Sequence, residues 1–228
     1  MTNRLAVYYL PHKNSPLWSF GTRVLGYSIR NGAARSYLDI PLCSHKEMAE
    51  NTKKAAHYGF HATMLAPFRT DQSEATAAEL LDEILSKEPS IQMPPLEIVL
   101  MHDYFPALAP LMMPYRLSEL ERNLVLGMRE LALPPSFEER KKREPLTPRQ
   151  RRYCKKLGYP FVLEEFYFHM TLGDGPNARF FNSLSISLGE ELKAPFVLDS
   201  LCLCREENGQ PFVLVKEFFL GESKKNYA

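Results

Sequence analysis

One pattern occurs twice in this chain and limits its possible folds more than any other feature. Tyr58-Gly59-Phe60-His61-Ala62-Thr63-Met64 recurs as Phe166-Tyr167-Phe168-His169-Met170-Thr171-Leu172. Side chains alternate between the two faces of a strand. His61 and Thr63 therefore share a face, and so do His169 and Thr171. Tyr58, Phe60, Ala62 and Met64 point the other way, as do Phe166, Phe168, Met170 and Leu172. Each copy predicts a half-buried strand with an apolar back and a His/Thr front. Two such fronts facing one another would surround one small space with two imidazoles and two hydroxyls.

The flanking sequence predicts the same order of elements around each copy. Arg4 to Leu10 reads as a strand. Ser15-Pro16 starts a helix with the stripe Leu17, Phe20 and Val24, stopped at Gly26. Asn31 to Glu50 reads as loop-rich, with Tyr37 to Leu42 as a weak strand. The first motif strand is expected from about Ala56 to Pro67. A helix capped by Asp71 or Ser73 carries Ala77, Leu80, Leu81, Ile84 and Leu85 at helical spacing. Two strands follow, Leu96 to Met101 and Tyr104 to Leu111. In the second half, Ser118 caps a helix that ends at Pro134-Pro135, and Thr147-Pro148 opens another that closes at Gly158. The second motif strand is expected over Phe161 to Leu172. A helix with Phe180, Phe181 and Leu184 comes next. Strands Phe196 to Cys204 and Phe212 to Phe219 then flank an Asn208-Gly209 hairpin signal. This order predicts an α+β fold of two pseudo-symmetric lobes, with antiparallel sheets lining a central cleft and helices on the outer faces. The whole of 1–228 is expected to act as one bilobal domain, with approximate halves 1–115 and 116–228.

Composition narrows the function classes. Lys+Arg total 28 against 27 Asp+Glu, which argues against a general nucleic-acid coat. Hydrophobic residues make up 45%, enough for a sizeable core. No apolar run reaches the roughly 20 residues of a membrane helix, and the N-terminus lacks the apolar centre of a signal peptide. A cytoplasmic location is expected. Cys43, Cys154, Cys202 and Cys204 show neither C-x-x-C nor zinc-finger spacing, so free thiols are expected.

The paired motif suits phosphodiester chemistry. Opening such an ester brings in one oxygen, which loses a proton, and expels another, which gains one. Two imidazoles on opposite sides of the phosphorus can carry both protons near neutral pH. Each threonine, two residues along the same face, can donate to a non-bridging oxygen. The sequence offers no acidic cluster of the two-metal type, and no cofactor is expected.

On these residues the chain resembles the two-histidine (2H) phosphoesterase superfamily. The likeness is nearest to a bacterial branch associated with phosphonate metabolism. Tyr58 to Thr63 followed by Pro67-Phe68-Arg69 is similar to that branch's first signature. Leu146 to Gln150, Gly158-Tyr159-Pro160 and Glu165 to Leu172 are similar to its second. Val7-Tyr8-Tyr9 and Ser15 to Trp18 also fit. The resemblance implies a bilobal α+β fold, with His61, Thr63, His169 and Thr171 as the catalytic and phosphate-binding set. Met64 stands where many members have leucine. The implied activity is metal-independent hydrolysis of a small cyclic phosphate or a 2′,3′-cyclic or 2′,5′-type phosphodiester. A phosphoribosyl cyclic phosphate is the leading substrate, and a terminal RNA cyclic phosphate the next. A binder of RNA ends or phosphorylated ligands in the same cleft is the alternative.

Further substrate contacts are expected at Tyr9, Arg69 and Tyr167. His57 and His102 read as surface or loop histidines. The basic segment Arg140 to Arg143, with Arg149, Arg151, Arg152, Lys155 and Lys156, reads as a solvated helical face rather than an RNA clamp.

Overall fold

The computed structural model describes residues 3–136 and 145–221. Its frame is one seven-stranded sheet with the order β11-β10-β1-β4-β8-β7-β6. The strands are β1 Arg4–Tyr9, β4 Ala62–Arg69, β6 Leu96–Met101, β7 Phe105–Pro110, β8 Met170–Thr171, β10 Ser200–Glu206 and β11 Val213–Phe219. All neighbouring pairs are antiparallel. Two short pairs stand apart: β2 Tyr27–Ser28 with β3 Ala33–Ala34, and β5 Ile91–Met93 with β9 Phe196–Leu198.

The two motif strands meet at the middle of the sheet. Their contact is narrow, with Ala62 opposite Met170 as the one register pair between β4 and β8. Beyond the motif strands, each side of the sheet ends in a hairpin from the other half of the chain. The hairpin β10–β11 lies beside β1, which separates it from β4, whereas the hairpin β6–β7 lies beside β8. The apolar backs expected from the alternation form the core: Phe60, Ala62, Met64, Phe168, Met170 and Leu172 are all buried.

The helices are α1 Pro16–Leu25, α2 His45–Tyr58, α3 Glu74–Leu85, α4 Tyr115–Gly127, α5 Pro148–Leu157 and α6 Ala178–Ser187. Ser15 caps α1, Ser73 caps α3 and Thr147 caps α5, each accepting from a backbone N–H of the first turn. Gly21 of α1 packs directly against Phe60, where an added Cβ would stand 2.2 Å from the ring.

Several expectations change. Helix α2 occupies the stretch read as loop and the front of the first motif strand, so Tyr58 ends a helix and β4 begins at Ala62. Its apolar stripe is thin, with only Met48, Thr52 and Ala55 buried. The capping box of Ser44 and Glu47 was its readable signal. The second motif strand shrinks to Met170–Thr171, preceded by a 3-10 turn at Leu163–Glu165. Residues before Met170 bond outside the ladder, as Phe168 does in donating to the Met113 sulfur at 3.4 Å. Helix α4 starts at Tyr115 rather than Ser118.

In α5, Arg149, Arg151, Arg152, Lys155 and Lys156 are exposed, which fits a solvated face; Arg140 to Arg143 lie outside the described residues. The four cysteines are free thiols. Among the described residues no helix is long and apolar enough to cross a membrane.

Candidate active site

The register at the centre of the sheet fixes the arrangement of the four motif residues. Extending the single antiparallel pair of Ala62 and Met170 by one residue each way sets Thr63 toward His169 and His61 toward Thr171. These positions sit on one face, as paired residues in a sheet do. The two histidines are then diagonal neighbours, a relation that spaces residues about 7–8 Å apart. His61, Thr63 and Thr171 line a cleft of about 980 Å³, and His169 flanks it beside the lining residue Phe105, ring centroids 6.0 Å apart.

Both imidazoles are held by the same local device. Nδ1 of His61 lies 2.8 Å from the carbonyl oxygen of Gly59. Nδ1 of His169 lies 2.8 Å from the carbonyl oxygen of Tyr167. A carbonyl only accepts, so Nδ1 carries the proton in each ring and Nε2 carries the lone pair. In His61, Nε2 accepts from the Thr63 hydroxyl at 3.0 Å. Gly59 makes the first lock possible. Its φ of +73° is a glycine conformation, and a Cβ there would meet the Ile29 Cβ at 2.7 Å.

Burial disfavours a charged imidazole at both positions. It pushes His61 down to about 4, opposed by the bond to Gly59 and reinforced by the positive field of His169. His169 is also lowered, first by burial and also by the field of His102, against the bond to Tyr167. His61 is therefore a neutral acceptor over most of the pH range.

The other expected contacts divide. Arg69 reaches the cleft wall, and its guanidinium donates to the Pro134 carbonyl at 3.0 Å. Tyr9 does not face the cleft. It is buried on the opposite side of the sheet against Phe168 and Phe196, because β1 presents Tyr8 to the His/Thr face instead. Tyr167 is tied by its hydroxyl to the Pro110 carbonyl at 2.9 Å and does not line the cleft.

Residues unflagged in the sequence also reach the cleft. Tyr8 lines it, as do Arg4, Lys54, Tyr58, Phe105 and Phe161. Arg4 is committed to Glu206, which also bonds His57 at 2.8 Å. Asp174, just after the second motif, accepts from the backbone N–H groups of Lys54 and Ala55 at 2.6 and 2.7 Å. It thereby ties the exit of β8 to the helix that leads into His61. Among the described residues no three His, Cys, Asp or Glu side chains converge as a metal site would need.

Residues 63–213 match a family described as a protein of unknown function, DUF1045. The chain is 29% identical over 171 residues to the ribose 1,5-bisphosphate phosphokinase PhnN of Laribacter hongkongensis (strain HLHK9), covering 74% of this chain and 39% of that protein. It is 26% identical over 225 residues to the protein of the same name from Janthinobacterium sp. (strain Marseille), covering 92% of this chain and 49% of that one. The chain thus spans less than half the length of the curated relatives it matches. Solved structures similar to it include Escherichia coli LigT complexed with 3′-AMP, at a TM-score of 0.45 and 11% identity, covering 97% of this chain and 100% of that one. Another is TT0787 of Thermus thermophilus, at 0.46 and 13%, covering 96% and 98%. The chain therefore belongs to the DUF1045 family.

Proposed function

We propose that this chain hydrolyses a cyclic phosphodiester with His61 as general base and His169 as general acid. The observation that carries the reading is the pair of imidazoles brought to the centre of one sheet, each with Nδ1 locked on a backbone carbonyl so that Nε2 carries the lone pair. In the reaction, His61 Nε2 takes a proton from water as its oxygen attacks phosphorus. The bond from phosphorus to the leaving sugar oxygen breaks, and that oxygen takes the Nε2 proton of a charged His169. As negative charge builds on the non-bridging oxygens, the Thr63 hydroxyl turns from His61 Nε2 to donate to one of them, and Thr171 donates to another. The roles follow from burial: His61, held down to about 4, is the more firmly neutral ring.

The names of the relatives suggest the substrate. Hydrolysis of a 1,2-cyclic ester of ribose 5-phosphate at the bond to O2 leaves a ribose 1,5-bisphosphate, the compound in the kinase name. The present chain carries no P-loop of its own. Gly21 and Gly26 have the glycine spacing of that loop, but Tyr27 stands where the phosphate-binding lysine belongs. The activity we propose for this chain is the step that supplies a ribose bisphosphate.

The test is ³¹P NMR of the purified chain with ribose 5-phosphate 1,2-cyclic phosphate and with 2′,3′-cyclic AMP, EDTA present. Turnover of at least one is expected, with the phosphoribosyl ester preferred. His61→Ala and His169→Ala should each lower kcat/KM by about 10²–10⁴-fold. A wild-type chain that binds the esters without opening them would make it a binder, and a His61→Ala enzyme at full rate would end the mechanism.

A further inference from the structure

On β1, the strand beside β4, Tyr8 is the tyrosine that faces the His/Thr array. It lies opposite Thr63 across β1 and β4, and so diagonal to His61. Its ring stacks on the imidazole of His61 with centroids 3.7 Å apart and planes inclined by 26°. Phe212 backs the same ring at 5.6 Å. Tyr8 is wholly buried, and its hydroxyl has no hydrogen-bond partner among the described residues.

These facts need a reason, because a buried hydroxyl left unpaired costs about 1–3 kcal/mol. The ring has an evident task. The bonds at Nδ1 to Gly59 and at Nε2 from Thr63 hold two edges of the imidazole but leave it free to swing about the line that joins them. A flat wall at 3.7 Å removes the swing and also shuts water from one imidazole face. The two restraints act at right angles and leave Nε2 a single direction, along the Thr63 hydroxyl and into the cleft.

We propose that Tyr8 is the positioning residue of His61: its ring clamps the imidazole so that Nε2 meets the attacking nucleophile. This rests on the reading of His61 as a general base. The ring does the work, and the hydroxyl is a burden on stability. Phenylalanine at this position should therefore serve as well in catalysis and better in folding. Misplacing a catalytic group by about 1 Å can cost about 100-fold in rate, so loss of the clamp should be visible in kcat.

The experiment compares Tyr8→Phe, Tyr8→Leu and Tyr8→Met in the full chain. Tyr8→Met is included in case Tyr8→Leu does not fold. Three quantities are read: Tm, kcat and KM on the cyclic ester that the wild type turns over, and the His61 imidazole titration by NMR. Tyr8→Phe should keep kcat within about threefold and melt at or above the wild-type temperature. Tyr8→Leu or Tyr8→Met should lose about 10–100-fold in kcat with KM nearly unchanged, and His61 should titrate closer to its ordinary value as water reaches the ring. The proposal is overturned if the aliphatic variants keep both the rate and the His61 titration. It is equally overturned if Tyr8→Phe falls as far as they do, since the hydroxyl would then be the working part. The titration needs no turnover, so it judges the clamp even if the hydrolase reading itself fails.

Discussion

His61 and His169 share more than sequence spacing. In each, the ring proton is parked on the carbonyl two residues back, Gly59 or Tyr167, so the same atom of both rings is released for chemistry. Their environments then separate them, since burial holds His61 to about 4 and lowers His169 as well. A base must be unprotonated and an acid protonated. The rising limb of kcat/KM should therefore follow His61 from about pH 4, and the falling limb should follow His169, below the ordinary histidine value of 6.5. A mildly acidic optimum is expected in a pH series of initial rates. In kcat alone both limbs should move to higher pH, because a bound phosphate anion favours the imidazolium. A plateau running flat past pH 8 in kcat/KM would contradict the assignment. At this scale the four motif residues were legible because His61, Thr63, His169 and Thr171 obey a period of two. Tyr8 was not. Val7-Tyr8-Tyr9-Leu10 is apolar on both faces and fully buried, so it offers no alternation from which to tell Tyr8 from Tyr9.

The elements that bring these residues together were less legible than the residues themselves. Helix α2 hides in a polar stretch because Asp174 and the end of β8 hold it in place through backbone donors, contacts that leave no hydrophobic stripe. The approach to the second motif depends on a buried carboxylate. Glu121 of α4 accepts from the Leu163 N–H with both oxygens, at 3.1 and 3.2 Å, and Leu163 has a φ of +57°. Burial, partly offset by the bond to Leu163, raises the Glu121 carboxyl to about 7. A folded-state value above the unfolded 4.5 means that the folded chain holds the proton more tightly. Glu121 then lowers stability progressively as pH rises from about 4.5 to 7, and the penalty is complete above that. Glu121→Gln keeps an acceptor for Leu163 and removes the titration. The variant should match the wild type near pH 4.5 and exceed it at pH 8 by an amount on the order of 2–3 kcal/mol in urea melts. Equal stabilities at both pH values would show that the carboxylate is not penalised.

Across the whole molecule the duplicated order of elements was legible, but the partnership of the strands was not. Strand, helix and two further strands recur after each motif, and a sequence reading naturally assigns each hairpin to its own half. The sheet does the reverse. Hairpin β6–β7 of the first half pairs with β8 through Ala107 opposite Thr171 and Leu108 opposite Met170. Hairpin β10–β11 of the second half pairs with β1 through five register positions, from Arg4 opposite Glu206 to Tyr8 opposite Cys202. Such choices are nonlocal, decided by which apolar faces close the core, and local alternation says nothing about them. The exchange has a consequence for folding. A fragment 1–115 would keep β1 and β4 but lose the strands on both of their outer edges, β10 and β8. A fragment 116–228 would keep β10–β11 and the two residues of β8, with no strand left to join them. Two-stranded remnants of this kind are marginal in water. Each fragment alone should therefore show no cooperative thermal transition by circular dichroism, while the two mixed should regain one, because every missing pairing is supplied by the other piece. Independent cooperative melting of either fragment would show that the halves are self-sufficient units, and that the junction of β4 and β8, where His61 faces Thr171, is a docking contact rather than the centre of one shared sheet.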